Sequence, residues 1–550
     1  MTIIEMKRFA AAAILFLLAT ATQRLIAQDK GFHSSSPVDV KAEDLLTRPV
    51  GENWSSYNGD YTGRRFSSLG EINRANVAQM RAAWVFHPGN SQKLEATPVV
   101  IRGVMYATSA NDVFALDAST GRTLWHYARP VSSGLLDDAA AHKNRGVAVW
   151  EHFVYVETDD AHLLSLDARS GNLLWDIQYA DKLKQYGATS APLVVKDEVI
   201  VGTSGGDSGV RGFVAAYDAR TGTLRWRLWT IPGPGEFGSA SWPGDSYLHG
   251  GATTWMPGTY DPELDALYWT TSNAAPDFMG DSRPGDDLYA ACVLAIDPNT
   301  GKLKWYFQFT PHDVYDYDAN ETPVLVDEKE ENGTPHHLLL QANRNGFFYV
   351  LDRTNGKFLR ATPFLEKLNW ATGIDASGRP LLSGRVPTKD GTYICPGIVG
   401  ATNWFSPSYN PNTGLFYVMT LENCNLYFSK SKGFTQGETF YGTGTKHPVG
   451  EDSRKVLLAL SPSDGKKVWR YPQAGHGSSW GGTLTTAGGL VFFGDDADSL
   501  EAVDAETGQP LWHFNTGQSF SASPMTYAVD GIQYVAIFAG SDLFSFALPH

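Results

Sequence analysis

One unit recurs along this chain and constrains its fold more than any other feature: an aspartate, a glycine four residues later, and a tryptophan four residues after that. The copies are Asp117/Gly121/Trp125, Asp167/Gly171/Trp175, Asp218/Gly222/Trp226, Asp297/Gly301/Trp305, Asp352/Gly356, Ser461/Gly465/Trp469 and Asp504/Gly508/Trp512. Two are degenerate, with Arg360 in place of one tryptophan and Ser461 in place of one aspartate. Each copy follows an alternating apolar strand such as Val113-Phe114-Ala115-Leu116, and the aspartate can close the next turn through its own side chain. The glycine supplies the positive φ that turn needs. The tryptophan then opens a second strand, with a ring large enough to bury between neighbouring sheets.

Most copies are 43 to 79 residues apart, the length of one four-stranded blade with insertions. The exception is the 109 residues from Asp352 to Ser461, about two blades. Inside it, Tyr409-Asn410-Pro411-Asn412-Thr413-Gly414-Leu415-Phe416-Tyr417 resembles Tyr260-Asp261-Pro262-Glu263-Leu264-Asp265-Ala266-Leu267-Tyr268, and both are read as inner hairpins of inserted blades. Near the start, Ala83-Trp84-Val85-Phe86 reads as an orphan outer strand, while Ser523-Pro524-Met525-Thr526-Tyr527 begins a last blade that lacks one. Giving that first strand to the last blade predicts an all-β, eight-bladed β-propeller with tryptophan-containing blade repeats and no open sheet edge. Glycine at 55 residues and aromatics at 12% suit short strands and tight turns. Helical periodicity is weak, so one propeller domain is expected over 53–550, preceded by a polar arm at 28–52.

Residues 1–27 have the form of a secretory signal: Lys7 and Arg8, an apolar run from Phe9 to Ala21, and small residues at Ala19, Ala21 and Ala27. A run of about 13 apolar residues is too short to span a bilayer, and no later segment is long and apolar enough. The expectation is export to the periplasm with no transmembrane segment in the mature chain. Of the three cysteines, Cys395 and Cys424 flank turn-rich segments and are read as a disulfide, whereas Cys292 lies in an apolar strand. No Cys-x-x-Cys-His haem site or Cys-x-x-Cys zinc pair occurs. A formal charge of −15 repels phosphate backbones and argues against nucleic-acid binding.

Propellers host enzymes, scaffolds and binding modules alike, so irregular segments must carry the function. The most telling is Thr310-Pro311-His312-Asp313-Val314-Tyr315-Asp316-Tyr317-Asp318, with His312, Asp313, Asp316 and Asp318 crowded into seven residues. Such crowding raises carboxyl pKa values unless a cation neutralises it.

This loop occurs with Asn53-Trp54-Ser55-Ser56-Tyr57-Asn58-Gly59-Asp60, Leu94-Glu95-Ala96-Thr97-Pro98, Asn144-Arg145-Gly146, Ser204 through Gly212, Asn343-Arg344-Asn345-Gly346 and Trp480-Gly481-Gly482. Taken in order, from about Glu52 to Leu548, these segments resemble the quinoprotein alcohol dehydrogenases, the methanol and ethanol dehydrogenase family that uses pyrroloquinoline quinone (PQQ) with a bound metal. The resemblance implies that Asp316 is the catalytic base, which takes the hydroxyl proton of an alcohol. It implies metal ligation by Asp207, Asn273 and Asp316, hard oxygen donors for a hard cation. Asp318 is similar to the extra carboxylate of lanthanide-using members and projects to the same side as Asp316 if the segment is extended. Trp255 resembles the tryptophan that stacks on the cofactor. Glu95, Arg145, Thr189, Ser204, Gly205, Gly206, Asn403 and Trp480 match other cofactor contacts. Arg344 is placed to pair with the quinone oxygens, where its planar fork suits adjacent acceptors.

Two departures stand out. The family usually has glutamate where Asp207 stands, which shortens the ligand by one methylene, so either the loop moves or water bridges. The family also carries adjacent cysteines over the cofactor where this chain has Ala139 and Ala140. The resemblance implies oxidation of a small primary alcohol, with electrons leaving to a separate soluble cytochrome c, and leaves open a sugar or polyol substrate, lanthanide(III) or Ca2+ as the metal, and a homodimer. The alternative class is a non-catalytic periplasmic propeller, a scaffold or a quinone binder; the two departures favour it, and retention of Asp316, Asn273, Trp255 and Arg344 together opposes it.

Overall fold

The aspartate of each repeat caps a turn in which its own backbone and side chain do the same work copy after copy. Asp117 Oδ1 accepts the N–H groups of Ser119 (2.9 Å) and Thr120 (3.1 Å), and the Gly121 N–H reaches the Asp117 carbonyl at 2.8 Å. The strands on either side, Asp112–Asp117 and Thr123–Tyr127, pair antiparallel. In this computed structural model, which describes residues 38–89, 93–136, 139–140, 143–329, 335–475 and 479–549, that hairpin ends one sheet after another.

Eight sheets of four or five strands are present among the described residues: 99–127, 148–178, 193–229, 259–308, 324–363, 408–472, 483–515 and 525–547. All pair antiparallel, except that Phe66–Ser67 joins the 483–515 sheet as a short parallel strand. The orphan strand closes as expected: Arg81–Phe86 pairs with Asp542–Ala547, completing the 525–547 sheet and joining the two ends of the domain. The hairpins at Tyr260 and Tyr409 are the first two strands of their sheets. The long gap after Asp352 is a correction to the two-blade estimate. It holds no additional four-stranded sheet; its extra residues form a two-stranded sheet (Ala371–Ile374 with Pro380–Leu382) and a three-stranded one (Thr392–Ile394, Asn425–Ser429, Thr443–Lys446).

What locks sheet to sheet is the repeat's tryptophan meeting the repeat's glycine in the next copy. A Cβ on Gly121 would lie 2.6 Å from the Trp84 ring, and one on Gly171 2.6 Å from the Trp125 ring. The same pairing joins Trp175 to Gly222, Trp226 to Gly301, Trp305 to Gly356 and Trp469 to Gly508. The indole N–H then donates to a backbone carbonyl of that neighbour, as from Trp84 to Ala118 (3.1 Å) and from Trp125 to Ala168 (3.0 Å). The degenerate copy shows that this role tolerates a flat, cationic N–H donor in place of the neutral indole. Arg360 reaches the Pro462 carbonyl of the next sheet, and Gly465 there faces Thr362.

The arm residues 38–52 lie against the sheets: Val40 bridges to Glu151 and Val50 to Ser67, and Val38, Val40, Leu45 and Val50 are buried. Residues 1–37 lie outside the described residues, and with them the expected signal segment. No helix of the described residues is long and apolar enough to cross a membrane.

Candidate functional site

Loops that leave several different sheets converge on one cavity of about 330 Å³. Ten of the fourteen residues assigned from sequence line it: Arg145, Thr189, Ser204, Gly205, Gly206, Asp207, Trp255, Asp316, Asp318 and Arg344. The other four stand behind this wall. Glu95 Oε2 takes a hydrogen bond from Arg145 Nη2 at 2.5 Å, and the Asn273 N–H donates to Asp318 Oδ1 at 2.6 Å. Asn403 caps its own loop by donating to the Val399 carbonyl at 2.9 Å, and Trp480 stacks on Trp404 at 6.5 Å and 12°.

Asp207 sits in a single 3-10 turn, Gly206–Ser208, entered through Gly205 at φ 98°. Glycine is required there twice over, because a Cβ would also meet the Gln185 carbonyl oxygen at 2.2 Å. The Asp316 loop is drawn into shape by the buried Asp313, whose two carboxylate oxygens accept the Tyr315 N–H (2.9 Å) and the Tyr317 N–H (2.8 Å). That wrap leaves Asp316 in the left-handed region at φ 62° and turns it into the cavity. Burial raises the Asp313 carboxyl to about 6, held from going higher by those two N–H groups and by Arg283. Arg283 in turn donates to the Asp313 carbonyl (2.6 Å) and to the Pro276 carbonyl (3.1 Å), so it pins the Asp316 loop to the loop that carries Asp277.

Asp277 is one of the residues that sequence reasoning missed. Asp207, Asp277 and Asp316 each offer a carboxylate oxygen within 4.8 Å of the others. Asp277 is fully buried, and its Oδ1 has no hydrogen-bond partner. Burial, then Asp207, Asp316 and Asp318, push its carboxyl far above the ordinary range. Burial does the same to Asp316, opposed by Arg344 and reinforced by Asp318 and Asp207. Three converging hard oxygen donors, one orphaned, fit a multivalent hard cation. The only sequence signal was an acid four residues beyond Asn273, weak by itself.

Asp318 takes a different place from a simple fourth ligand. Its Oδ2 accepts from Trp255 Nε1 at 3.1 Å and lies 3.2 Å from Arg344 Nη1, while its Oδ1 takes the Asn273 N–H. Arg344 Nη2 lies 3.3 Å from Asp316 Oδ2 and donates to the Ile398 carbonyl at 2.7 Å. The segment carrying that carbonyl is tied down by the expected disulfide of Cys395, three residues before it, with Cys424, and by the Ile398 N–H donating to Asn425 Oδ1 at 3.0 Å. Among the described residues Cys292 is the free cysteine, and it is buried.

The rest of the lining is aromatic and cationic. Arg145 lies 5.0 Å from the Trp255 ring and 4.8 Å from the Trp404 ring, and donates to the Thr189 carbonyl at 2.9 Å. Trp404 and Lys143, neither assigned from sequence, also line the cavity, and Lys143 pairs with Glu95 at 3.2 Å. Where the family has vicinal cysteines, Ala139 and Ala140 are buried, Ala140 lines the cavity, and the Ser204 hydroxyl donates to the Ala139 carbonyl. A flat aromatic wall, cations at Arg145, Lys143 and Arg344, and an adjoining acidic cluster fit a planar, polyanionic quinone beside a cation.

The family model for the β-propeller domain of PQQ glucose/ethanol/alcohol dehydrogenases matches residues 54–363 and 472–535. The chain is 42% identical over 516 residues to quinohemoprotein alcohol dehydrogenase ADH IIB of Pseudomonas putida, covering 90% of this chain and 74% of that one. It is 35% identical to the lanthanide-dependent methanol dehydrogenase of Methylacidiphilum fumariolicum, covering 91% and 87%. The solved structure of a europium-containing methanol dehydrogenase superposes with a TM-score of 0.84 at 32% identity, covering 92% of this chain and all of that one. With the cavity, the acidic cluster and these likenesses in hand, the chain belongs to the PQQ-dependent alcohol dehydrogenases, oxidoreductases built on a β-propeller that use that quinone with one metal ion, a lanthanide or calcium.

Proposed function

We propose that this protein oxidises a small primary alcohol to the aldehyde in the periplasm and passes the electrons to a separate soluble cytochrome c. The observation that carries this is the placing of Asp316, Arg344 and Asp207 in the lining of one 330 Å³ cavity, with Asp277 clustered against Asp207 and Asp316. The relatives support it, one of them being a cytochrome c-linked 1-butanol dehydrogenase of Thauera butanivorans.

Asp316 is the base: it accepts the hydroxyl proton of the alcohol as the hydrogen on the neighbouring carbon leaves with its electron pair. To do so it must be ionised, which burial opposes most, with Asp318 and Asp207 opposing it further, and which Arg344 favours. When bound, PQQ supplies the two-electron acceptor, and the cation polarises its carbonyl. Asp207, Asp277, Asp316 and Asn273 hold the cation, and Asp318 adds the further negative charge that favours a trivalent ion. Arg145, Lys143 and Arg344 hold the cofactor's anionic groups, with Trp255 against its ring face and Thr189, Ser204, Gly205, Gly206, Glu95, Asn403 and Trp480 shaping or supporting the walls. The smaller Asp207 is accommodated because Asp277 completes the cluster.

The eight sheets act as eight blades of a ring closed by the Trp84 strand, over a domain of 53–550 that follows a signal at 1–27 and an arm at 28–52. Reconstitution with PQQ plus either lanthanum or calcium, followed by dye-linked oxidation of a series of alcohols, tests the activity. Turnover is expected only with quinone and cation together; no turnover with either cation rejects the function.

A further inference from the structure

A second and larger cavity, about 480 Å³, lies behind the loop that carries Asp207. The Ser204–Asp207 side of that loop faces the site above, whereas Gly209, Val210 and Arg211 face this one. Its walls are aromatic: Phe213 meets Trp229 edge to face at 5.2 Å, and Phe434 is stacked on His249 with ring centres 3.5 Å apart. A molecule with a flat apolar body would replace water there at a gain.

Its charged lining groups are Arg211, Arg227 and Lys184 against one carboxylate, Asp181, and Glu236 acts on Arg211 from close by. Arg211 lies 4.6 Å and Arg227 5.5 Å from the same Trp229 ring, and Arg227 is also 4.1 Å from Phe213. Both are held by neutral groups. Arg211 Nε and Nη2 donate to the Ile231 carbonyl (2.9 and 2.5 Å), and Arg227 Nη2 to the Tyr179 carbonyl (2.9 Å) and Tyr217 hydroxyl (3.2 Å). Neither makes an ion pair among the described residues, in a chain with 59 acids and a net charge of −15. Asp181, in the lining, accepts the Leu183 N–H (2.9 Å), and Glu236 accepts the Gly233 N–H (2.6 Å) while its charge also acts on Arg211, so Arg227 is the guanidinium less offset by a neighbouring acid. Two guanidinium groups against one indole concentrate positive charge at this wall, and an anion binding there is attracted by both. Lys184 at the rim adds a third positive charge.

We propose that this cavity is a binding site for a small aromatic carboxylate, its ring between Trp229 and Phe434 and its carboxylate on Arg211 and Arg227. The site is separate from that of the quinone and asks nothing of it.

Calorimetric titration of the full-length protein, loaded with quinone and calcium so that the other cavity is filled, tests this with benzoate and with its neutral counterpart benzamide. Benzoate is expected to bind about tenfold more tightly than benzamide, with the difference shrinking as salt rises. Arg227→Gln is expected to abolish the difference, and Arg227→Lys to retain part of it because charge remains while the fork is lost. Equal binding of the two probes, or no saturation in the millimolar range, overturns the proposal. So does an undiminished benzoate preference in Arg227→Gln, which would put the carboxylate elsewhere. Should Arg227→Gln fail to fold, the salt dependence in the unaltered protein and the Arg227→Lys titration decide the matter.

Discussion

Arg344 reaches two carboxylates with one guanidinium, its Nη2 lying 3.3 Å from Asp316 Oδ2 and its Nη1 3.2 Å from Asp318 Oδ2. The planar fork sets the spacing of the proposed base and the proposed extra metal carboxylate, and the Ile398 carbonyl at 2.7 Å sets the fork. Arg344→Lys keeps the charge but cannot span both acids. Turnover is expected to fall roughly 10²-fold or more, with quinone affinity, read by tryptophan fluorescence quenching, changed far less.

Asp277 has a different role: it is buried behind Asp207 and Asp316, which line the cavity, and its carboxylate completes the acidic cluster with theirs. Asp277→Asn keeps the shape and removes one charge. The cation concentration needed for half-maximal reconstitution is expected to rise about 10- to 100-fold, with the rate at saturating cation largely kept. An unchanged titration curve removes Asp277 from the metal site.

Asp318→Ala separates the two candidate ions. The aspartate's negative charge matters more to a trivalent than to a divalent cation, so lanthanum-supported turnover is expected to be lost while some calcium-supported turnover survives. Equal effects on both would show that Asp318 acts through Trp255 and Arg344, which it also touches.

The repeat itself is tested by a pair of glycines with the same backbone and different neighbours. Gly171 (φ 72°) has the Trp125 ring 2.6 Å from where a Cβ would stand, whereas Gly414 (φ 68°) has nothing within 4 Å. Gly414→Ala is expected to cost about 1 kcal/mol from the left-handed backbone alone, and Gly171→Ala roughly 2 kcal/mol more because the sheets must part. Urea unfolding of the two variants gives the difference.

Glu157 predicts a pH dependence of stability. It is fully buried, its Oε2 takes a hydrogen bond from the Tyr179 hydroxyl at 2.6 Å, and burial lifts its carboxyl to about 8 against that bond's lowering effect. The folded state therefore keeps a proton that the unfolded chain, near 4.5, has lost. The stabilisation is present in full below pH 4.5 and is withdrawn as pH rises to about 8, with a slope of at most ~1.4 kcal/mol per pH unit. Glu157→Gln is expected to unfold in urea with a visibly flatter dependence across that window.

The blades were legible in the sequence because a turn is a local object. Aspartate, glycine and tryptophan at fixed spacing specify cap, positive φ and docking ring without reference to the rest of the chain, and even the Trp84 strand could be assigned by counting what the last blade lacked. The interval after Asp352 misled for the same reason: its length matched two blades, and only strand pairing shows that those residues build two small insert sheets instead. At the site, clustered residues and recognisable motifs marked ten of the cavity's lining groups. Asp277, Lys143 and Trp404 sit within four residues of assigned positions (Asn273, Arg145 and Asn403) but were not singled out, because their own roles come from partners distant in sequence, Asp207, Glu95 and Arg145 respectively, which only the closing of the sheets brings near. Sequence by itself determined the repeating unit, the acidic loop and the quinone family, all of which depend on short-range pattern. The tertiary structure decided which carboxylates share a cation and which share an arginine, because charge interactions follow distance in space, and loops from different sheets meet only once the propeller is built.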